Sequence, residues 1–389
     1  MNGVVNLSLR ATSSVGNIAF IDLEAQQRLI RPRIEARLSA VLDHGRYIAG
    51  PEIEELENLL AEKTGAKNAV ACASGTAALI IPLLAKGIGA NDAVFVPSFT
   101  YNATSNAVIL AGATPVFVDI DETTFNLDPK ALERRIQAVK AEGRLRPAGV
   151  IPVDLFGSPA DYPAIHRIAK AENMFVLSDG AQSFGGRLEG KWVGALAKET
   201  ATSFFPGKAL GAYGDAGAIL STEEGANEAW ESIRWHGTDN ARKNSVCVGF
   251  NGRMDSFQAA VLLEKLAIFY EELEARHRIA EIYNNRLSLL GLPQRHLSKS
   301  HSGYGYYALR VKDRDTVAAR LKEYGVPTAI YYSTPLHEMP AFSKYAVGAE
   351  LHKTNRVAKE ILSLPMHPYL TPDQAHFICD CVQEIVDGI

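Results

Sequence analysis

The feature of this sequence that most constrains its fold is a regular alternation of short apolar runs and helical segments between residues 68 and 220. The runs are continuously apolar rather than alternately apolar and polar, which is typical of strands buried on both faces of a sheet. The predicted strands are Asn68–Ala73, Ala93–Val96, Pro115–Asp119, Gly149–Val153, Met174–Ser178, Thr200–Phe204 and Ala218–Leu220, and the predicted intervening helices are Gly75–Lys86, Tyr101–Ala111, Pro129–Ala141 and Tyr162–Glu172. This alternation predicts an α/β domain with a mostly parallel sheet flanked by helices.

The chain changes character after Met254, where strand and helix no longer alternate regularly. The segments distinguished outside the sheet are a helix at Ile21–His44 kinked at Pro32, a helix from Pro51 to Gly65, a long helical stretch at Asp255–Leu290, the run Tyr304–Val311, the strand-like Thr328–Tyr332, and helices at Thr316–Tyr324 and Pro372–Val386. We therefore expect residues 1–17 to be a leader, residues 18–253 a large domain, and residues 254–389 a smaller α+β C-terminal domain.

Composition narrows the class of protein. The net charge of −4 over 389 residues gives no electrostatic reason to expect nucleic acid or an anionic membrane as a partner. No apolar run is long enough for a membrane span, and residues 1–17 lack the features of a signal peptide, so a cytoplasmic protein is expected. The four cysteines form no zinc-type cluster, which predicts free thiols and no metal site.

Lys208 is the most informative single residue. It lies in an apolar, glycine-rich loop, SFFPGKALGAYGDAG, unlike the solvated faces where most lysines occur. Asp179 ends a strand-like run and is followed by GAQSFG. The pair is typical of pyridoxal phosphate (PLP) chemistry, in which a lysine forms a Schiff base with the cofactor and a carboxylate keeps the pyridine nitrogen protonated. Taken alone, Asp179 could instead cap a helix and Lys208 could be an ordinary surface lysine.

Three further segments could hold such a cofactor. Ser74-Gly75-Thr76 follows the first predicted strand and opens a helix, so it forms either a phosphate cup or a plain helix cap. Ser203 could donate a second hydrogen bond to the phosphate. Tyr101 follows another strand, where an aromatic ring either stacks on the pyridine ring or belongs to the core; Phe99 is the better core candidate.

Polar residues near these segments are also candidates. Gln182, three residues after Asp179, could complete a capping box or donate a hydrogen bond to the phenolic oxygen of the cofactor. Asn251 and Arg253 lie in FNGRMD at the predicted domain junction. The planar guanidinium of Arg253 suits a carboxylate or a phosphate, although a surface ion pair is an equally simple interpretation.

These segments occur among many ordered motifs that together resemble the sugar aminotransferases of the DegT/DnrJ/EryC1/StrS family. The resemblance runs from about Phe20 to near the C-terminus. It rests on FIDLEAQQ, GRYIAGPEIEELE, CASGTAAL, PSFTYNAT, VDIDETTFNLDP, IPVDLFG, SDGAQSFG, SFFPGKALGAYGDAGAI, GFNGRMDSFQAA and LPMHPYL. It implies the fold type I architecture of PLP enzymes.

The resemblance also implies roles for individual residues. Those implied for the cofactor are Lys208 as covalent anchor, Asp179 at the pyridine nitrogen, Gln182 near the hydroxyl, Gly75, Thr76 and Ser203 at the phosphate, and Tyr101 on the ring. Asn251 would reach the phosphate in a neighbouring subunit, which implies a homodimer, and Arg253 would approach the substrate there. Tyr331, Tyr332 and His337 would contact a nucleotide-sugar. Many relatives have histidine-tyrosine where this chain has Tyr331-Tyr332, and they rarely have glycine at the position of Gly180.

The implied reaction is a ping-pong transamination from L-glutamate to a keto-sugar on a nucleotide carrier. The motifs around Lys208 most resemble members that act on 3-keto sugars, with a 4-keto sugar as the alternative. Two other readings stay open at this point. One is a PLP-binding regulator without turnover, and the other is a protein that uses the Ser74–Thr76 segment to bind a different phosphate. The sequence does not identify the nucleotide or the sugar.

Overall fold

The computed structural model describes residues 15–290 and 293–388. The predicted leader therefore lies outside the described residues, except for residues 15–17. The strands are β1 (Asn68–Cys72), β2 (Asp92–Pro97), β3 (Thr114–Val118), β4 (Arg146–Val150), β5 (Phe175–Asp179), β6 (Arg187–Leu188), β7 (Lys191–Trp192), β8 (Glu199–Ser203), β9 (Gly217–Ser221), β10 (Ser300–His301), β11 (Tyr307–Arg310) and β12 (Ile361–Leu364).

The α-helices surround these strands. They are α1 (Leu23–His44), α2 (Pro51–Thr64), α3 (Gly75–Ala85), α4 (Ala103–Leu110), α5 (Pro129–Glu142), α6 (Tyr162–Ala171), α7 (Asn227–Arg234), α8 (Ser256–Leu266), α9 (Phe269–Leu287), α10 (Arg314–Glu323), α11 (His352–Glu360) and α12 (Pro372–Asp387). The residues at the ends of α2 illustrate how the local sequence sets the helix boundaries. Pro51 opens α2 and Gly65 ends it in the left-handed region at φ 69°.

The central sheet has seven strands in the order β1-β9-β8-β5-β4-β2-β3. Strand β9 is antiparallel to both of its neighbours, β1 and β8, and the remaining pairs are parallel. The predicted α/β class with a mostly parallel sheet is confirmed. The two faces of the sheet carry alternate residues of each strand. Val94 and Val96 pack towards α3 and α4, whereas Phe95 between them packs towards α5 and α6.

The C-terminal elements gather around a second apolar cluster. Strands β11 and β12 pair antiparallel, and buried residues of α9, α10 and α12 pack on them. Helix α8 instead shares a cluster with α2, where Leu262 and Leu263 meet Leu56 and Leu60. The division at residues 253 and 254 stays a prediction.

One predicted helical stretch is interrupted by a break, and one strand prediction was wrong. The stretch Asp255–Leu290 is two helices, α8 and α9, broken at Ala267 and Ile268 and followed by a 3₁₀ turn. The break lets α8 pack on α2 while the end of α9 joins the C-terminal cluster. Thr328–Tyr332 is not a strand, because only Ala329 forms a bridge, with Ser363.

The structure also bears on the composition-based expectations. Each of the four cysteines is a free thiol, and only Cys247 is exposed. Within the described ranges, no helix has the length and apolar character that a membrane crossing requires. Over the same ranges, no group of three His, Cys, Asp or Glu side chains is arranged to hold a metal ion.

Candidate active site

A cavity of about 380 Å³ opens at the carboxyl ends of the parallel strands. Ligands of open α/β sheets bind at this edge, and the volume suits a small organic molecule. The lining groups come from β1 to α3, β2 to α4, the end of β5, and the loop after β8, together with three tyrosines from the C-terminal part of the chain. Sequence segments that lie far apart therefore meet around one space.

Asp179 lies at the end of β5 and is only 4% exposed. Its carboxylate accepts hydrogen bonds from the Thr104 hydroxyl at 2.8 Å and the Ala181 amide at 3.2 Å. Burial raises its pKa, and these two donors and the positive charge of Lys208 oppose that effect. The carboxylate has no salt-bridge partner among the residues that the structure describes. A protonated pyridine nitrogen is the kind of cation that would hold it ionised.

Lys208 lines the same cavity. Burial lowers its pKa to about 8, although the nearby Asp179 carboxylate acts in the opposite direction. Its ammonium nitrogen lies 5.9 Å from the centre of the Tyr306 ring. With this pKa about a tenth of the amine is neutral at pH 7, far more than for an ordinary lysine, and the neutral amine is the form that acts as nucleophile and base.

The predicted phosphate segment surrounds the start of α3. Ser74 is the N-cap, and its hydroxyl accepts a hydrogen bond from the Ala77 amide at 3.1 Å. The helix therefore presents its free amide groups and its positive dipole end to the cavity, which Ser74, Gly75 and Thr76 all line. Ser203, at the end of β8, lines the cavity beside Gly75. A side chain on Gly75 would collide with Ser203, since its Cβ would lie 2.7 Å from the Ser203 Cβ.

An aromatic wall formed by Tyr101, Tyr306, Tyr331 and Tyr332 closes another side of the cavity. Tyr101 is 56% exposed, so the interpretation as a core residue was wrong, whereas Phe99 is buried as expected. The Tyr101 ring lies 6.1 Å from Tyr332, and the Tyr306 ring lies 4.7 Å from Tyr331. Flat aromatic faces of this kind pack against rings of cofactors and sugars.

Gln182 connects the wall to the strand ends. Its side-chain oxygen accepts a hydrogen bond from the Phe156 amide at 2.8 Å, and its amide nitrogen donates one to the Tyr332 hydroxyl at 3.0 Å. The side chain is buried and lines the cavity. The capping-box alternative is not what this side chain does.

Three predicted site residues do not line this cavity. Asn251 and Arg253 are bonded to each other, with the Arg253 Nε donating to the Asn251 side-chain oxygen at 3.0 Å. Arg253 also lies over the Trp235 ring at 4.4 Å. His337 lies on a 3₁₀ turn, where its Nδ1 is 2.7 Å from the Ser98 hydroxyl. The cavity of one chain is therefore built without these three side chains.

The residues that the sequence reasoning missed include Thr104, Phe205, Asp215 and Tyr306. Phe205 and Asp215 flank Lys208 within the glycine-rich segment, so proximity along the chain was an available signal. Tyr306 lies in the run YGYYALRV, to which the sequence interpretation gave no role in the site. Thr104 gave no signal, since its contact with Asp179 joins residues 75 positions apart.

Comparison with known proteins identifies the family of this chain. The family model described as the DegT/DnrJ/EryC1/StrS aminotransferase family matches residues 28–383. The chain belongs to this family.

Similar proteins support the assignment over nearly the whole length. The chain is 44% identical over 363 residues to the UDP-2-acetamido-2-deoxy-3-oxo-D-glucuronate aminotransferase of Pseudomonas aeruginosa, covering 93% of this chain and 98% of that one. It is 43% identical to the DegT DnrJ EryC1 StrS aminotransferase from Brucella abortus, with a TM-score of 0.92, covering 95% of this chain and 99% of that structure. A third similar structure is NtdA from Bacillus subtilis with bound cofactor PMP, at 27% identity and a TM-score of 0.84, covering 95% of this chain and 83% of that one.

This DegT/DnrJ/EryC1/StrS family member is thus a PLP-dependent aminotransferase of fold type I. Its own residues fit the cofactor. Within the described ranges the buried Asp179 carboxylate has no salt-bridge partner, the start of α3 offers free amides, and Gly75 has no side chain to cover the backbone beside Ser203. These observations match a pyridinium nitrogen and a phosphate group in one cavity.

Proposed function

We propose that the protein transfers the amino group of L-glutamate to the ketone of a nucleotide-linked sugar, and that this ketone is at position 3 of the sugar ring. The observation that carries the proposal is the placement of Lys208 and Asp179 in one cavity behind an aromatic wall. The 44% identical Pseudomonas aeruginosa relative is named for a UDP-linked 3-oxo sugar, which supports both the carrier and the ring position.

The residues that would hold PLP follow from the geometry. Gly75, Thr76 and Ser203 would bind the phosphate, Asp179 the pyridine nitrogen, and Tyr101 a face of the ring. Bound there, PLP supplies a ring that withdraws electrons from the carbon that loses a proton. Thr104 and the Ala181 amide hold the Asp179 carboxylate in place, so that it would present a fixed negative charge to the pyridine nitrogen of bound PLP.

Lys208 would act twice, as covalent anchor and then as proton carrier. Once the amino donor has replaced it on the cofactor, the Lys208 amine would move the proton from the α-carbon of glutamate to the cofactor. In the second half of the reaction it would move a proton from the cofactor to the sugar carbon that receives nitrogen. The pKa of about 8 suits both tasks, because an amine near its pKa gives up and takes a proton with similar ease.

The sugar and its nucleotide would lie against the tyrosine wall. We infer that the active protein is a homodimer in which Asn251 and Arg253 reach the cavity of the neighbouring chain. The support is that both side chains lie outside their own cavity and that the Asn251 side chain is exposed. His337 stays a predicted nucleotide contact, through a surface next to the cavity rather than through its lining.

The test is to run the two halves of the reaction separately. The purified protein is loaded with PLP, and L-glutamate is added while the absorption of the cofactor is followed. Loss of the PLP absorption is expected, followed by its return when a UDP-linked 3-keto sugar is added. A 4-keto sugar, tested in parallel, is expected to restore it more slowly.

The matched control is Lys208→Ala. This variant should still bind PLP, because the phosphate and ring contacts remain, but neither half of the reaction should proceed. A wild-type protein that binds PLP but does not respond to glutamate would favour the regulator instead of the enzyme. Full turnover by Lys208→Ala would remove the role assigned to the lysine.

A further inference from the structure

The hydrogen bonds of Gln182 have a forced direction. The Phe156 backbone amide can only donate, so the atom of Gln182 that faces it, 2.8 Å away, is the side-chain oxygen. The other end of the amide is then the NH₂ group, which carries protons and has no acceptor capacity. It faces the Tyr332 hydroxyl at 3.0 Å. The assignment of oxygen and nitrogen in this amide is therefore fixed by the backbone.

It follows that the Tyr332 hydroxyl accepts from Gln182 and keeps its own proton for another partner. The Tyr332 hydroxyl makes no other hydrogen bond within residues 15–290 and 293–388, although the Asp179 carboxylate is close enough to act on it electrostatically. The ring is enclosed by Phe99 at 6.3 Å, Tyr101 at 6.1 Å and Tyr331 at 5.8 Å. Since Tyr332 lines the cavity, a ligand bound there can serve as the acceptor for this proton. Burial raises the pKa of Tyr332, so the hydroxyl stays protonated at neutral pH.

We propose that Gln182 is a positioning residue that turns the Tyr332 hydroxyl into a hydrogen-bond donor for the ketone oxygen of the sugar. The inference rests on the proposed function and assigns a part of the site to the sugar half of the reaction. A ketone oxygen can only accept, whereas the amino group that replaces it is charged and can only donate. A fixed donor therefore favours entry of the keto substrate and release of the amino product.

A second acceptor is chemically possible, namely the phenolic oxygen of the cofactor. Gln182 already has a donor for that oxygen, because only one of its two amide protons is used by Tyr332. Tyr332 is thus free to serve the sugar. Separate measurement of the two half-reactions distinguishes these acceptors, because the cofactor takes part in both halves and the sugar in only one.

The experiment uses Tyr332→Phe in the PLP-loaded enzyme. The rate of the keto-sugar half should fall by at least about tenfold, as expected when a neutral donor to a developing charge is lost. The glutamate half, the affinity for PLP and the absorption spectrum should match the wild type. Tyr345→Phe removes a tyrosine hydroxyl outside the cavity and serves as the matched control.

Gln182→Glu tests the positioning role. One carboxylate oxygen still accepts from Phe156, but the other now accepts from Tyr332 and takes its proton away from the sugar. This variant should lose the keto-sugar half more than its own glutamate half. Adding Tyr332→Phe to Gln182→Glu should cost little more, because both changes remove the same donor.

Three results would overturn the inference. An unchanged keto-sugar half in Tyr332→Phe would show that the hydroxyl does not meet the sugar. An equal fall in both halves, with an altered spectrum, would assign the proton to the cofactor. Additive losses in the double variant would separate Gln182 from Tyr332. Failure of the wild type with every keto-sugar would instead refute the proposed function, and this inference with it.

Discussion

Gly75→Ala is the substitution whose consequence the structure defines most sharply. Gly75 is the first residue of α3, and Ser203 is the last residue of β8. A Cβ at position 75 would lie 2.7 Å from the Ser203 Cβ and 3.1 Å from its hydroxyl oxygen. The nearer distance is well inside van der Waals contact, so one of the two segments has to move. Strand β8 is held between β5 and β9, which leaves the start of α3 to give way.

The magnitude follows from the cost of overpacking a close contact, which is about 1–3 kcal/mol. If the start of α3 is the phosphate site, displacement of its amides is expressed mainly as weaker cofactor binding. The same free energy corresponds to a PLP affinity lower by about 5- to 150-fold. A smaller part of this free-energy cost should lower the unfolding temperature of the cofactor-free protein.

The assay is a titration of cofactor-free protein with PLP, followed by absorption, beside thermal unfolding of the same sample. Gly89→Ala is the matched control, since a Cβ at Gly89 has no atom within 4 Å and the residue is not in the left-handed region. Gly89→Ala should bind PLP like the wild type. Wild-type affinity in Gly75→Ala would refute the reasoning, because the close contact would then have no bearing on the cofactor.

Two further predictions concern the assembly and the stability of the protein. Mixed dimers of Lys208→Ala and Arg253→Ala should recover activity that neither variant has alone, because one of the two shared sites is then intact; exchange of subunits without recovery would contradict the shared site. Burial lowers the pKa of His367 and His296 to about 4. As the pH falls from about 6.5 towards 4, these histidines therefore bind protons in the unfolded chain but not in the folded one, which favours unfolding. Each histidine should therefore remove up to about 3 kcal/mol of stability over that window. His367→Asn should make the free energy of unfolding, measured by denaturant titration at a series of pH values, fall less steeply over this window. An unchanged dependence on pH would contradict the contribution of this residue.

The sheet and the cofactor end of the site were predictable from sequence because both depend on local signals. Strand β5 and the carboxylate at its end are marked by an apolar run that stops at Asp179, and the Lys208 loop by its glycines. The break between α8 and α9 was not predictable, since a helical pattern continues through Ala267. It arises from tertiary packing, in which α8 meets α2. Tyr306 was missed because its place in the cavity also depends on tertiary packing.

The charge of the cavity gives an independent reason for a shared site. Lys208 is the one cation among the lining residues of the described chain, and the proposed function uses it for the cofactor, while Asp179 and Asp215 are acidic. A nucleotide-linked sugar carries phosphate groups whose negative charge this lining does not balance. Arg242 and Arg253 both lie over the Trp235 ring, at 3.5 Å and 4.4 Å, outside their own cavity. The inferred homodimer would bring cations of this kind from the neighbouring chain to a cavity whose own lining lacks them.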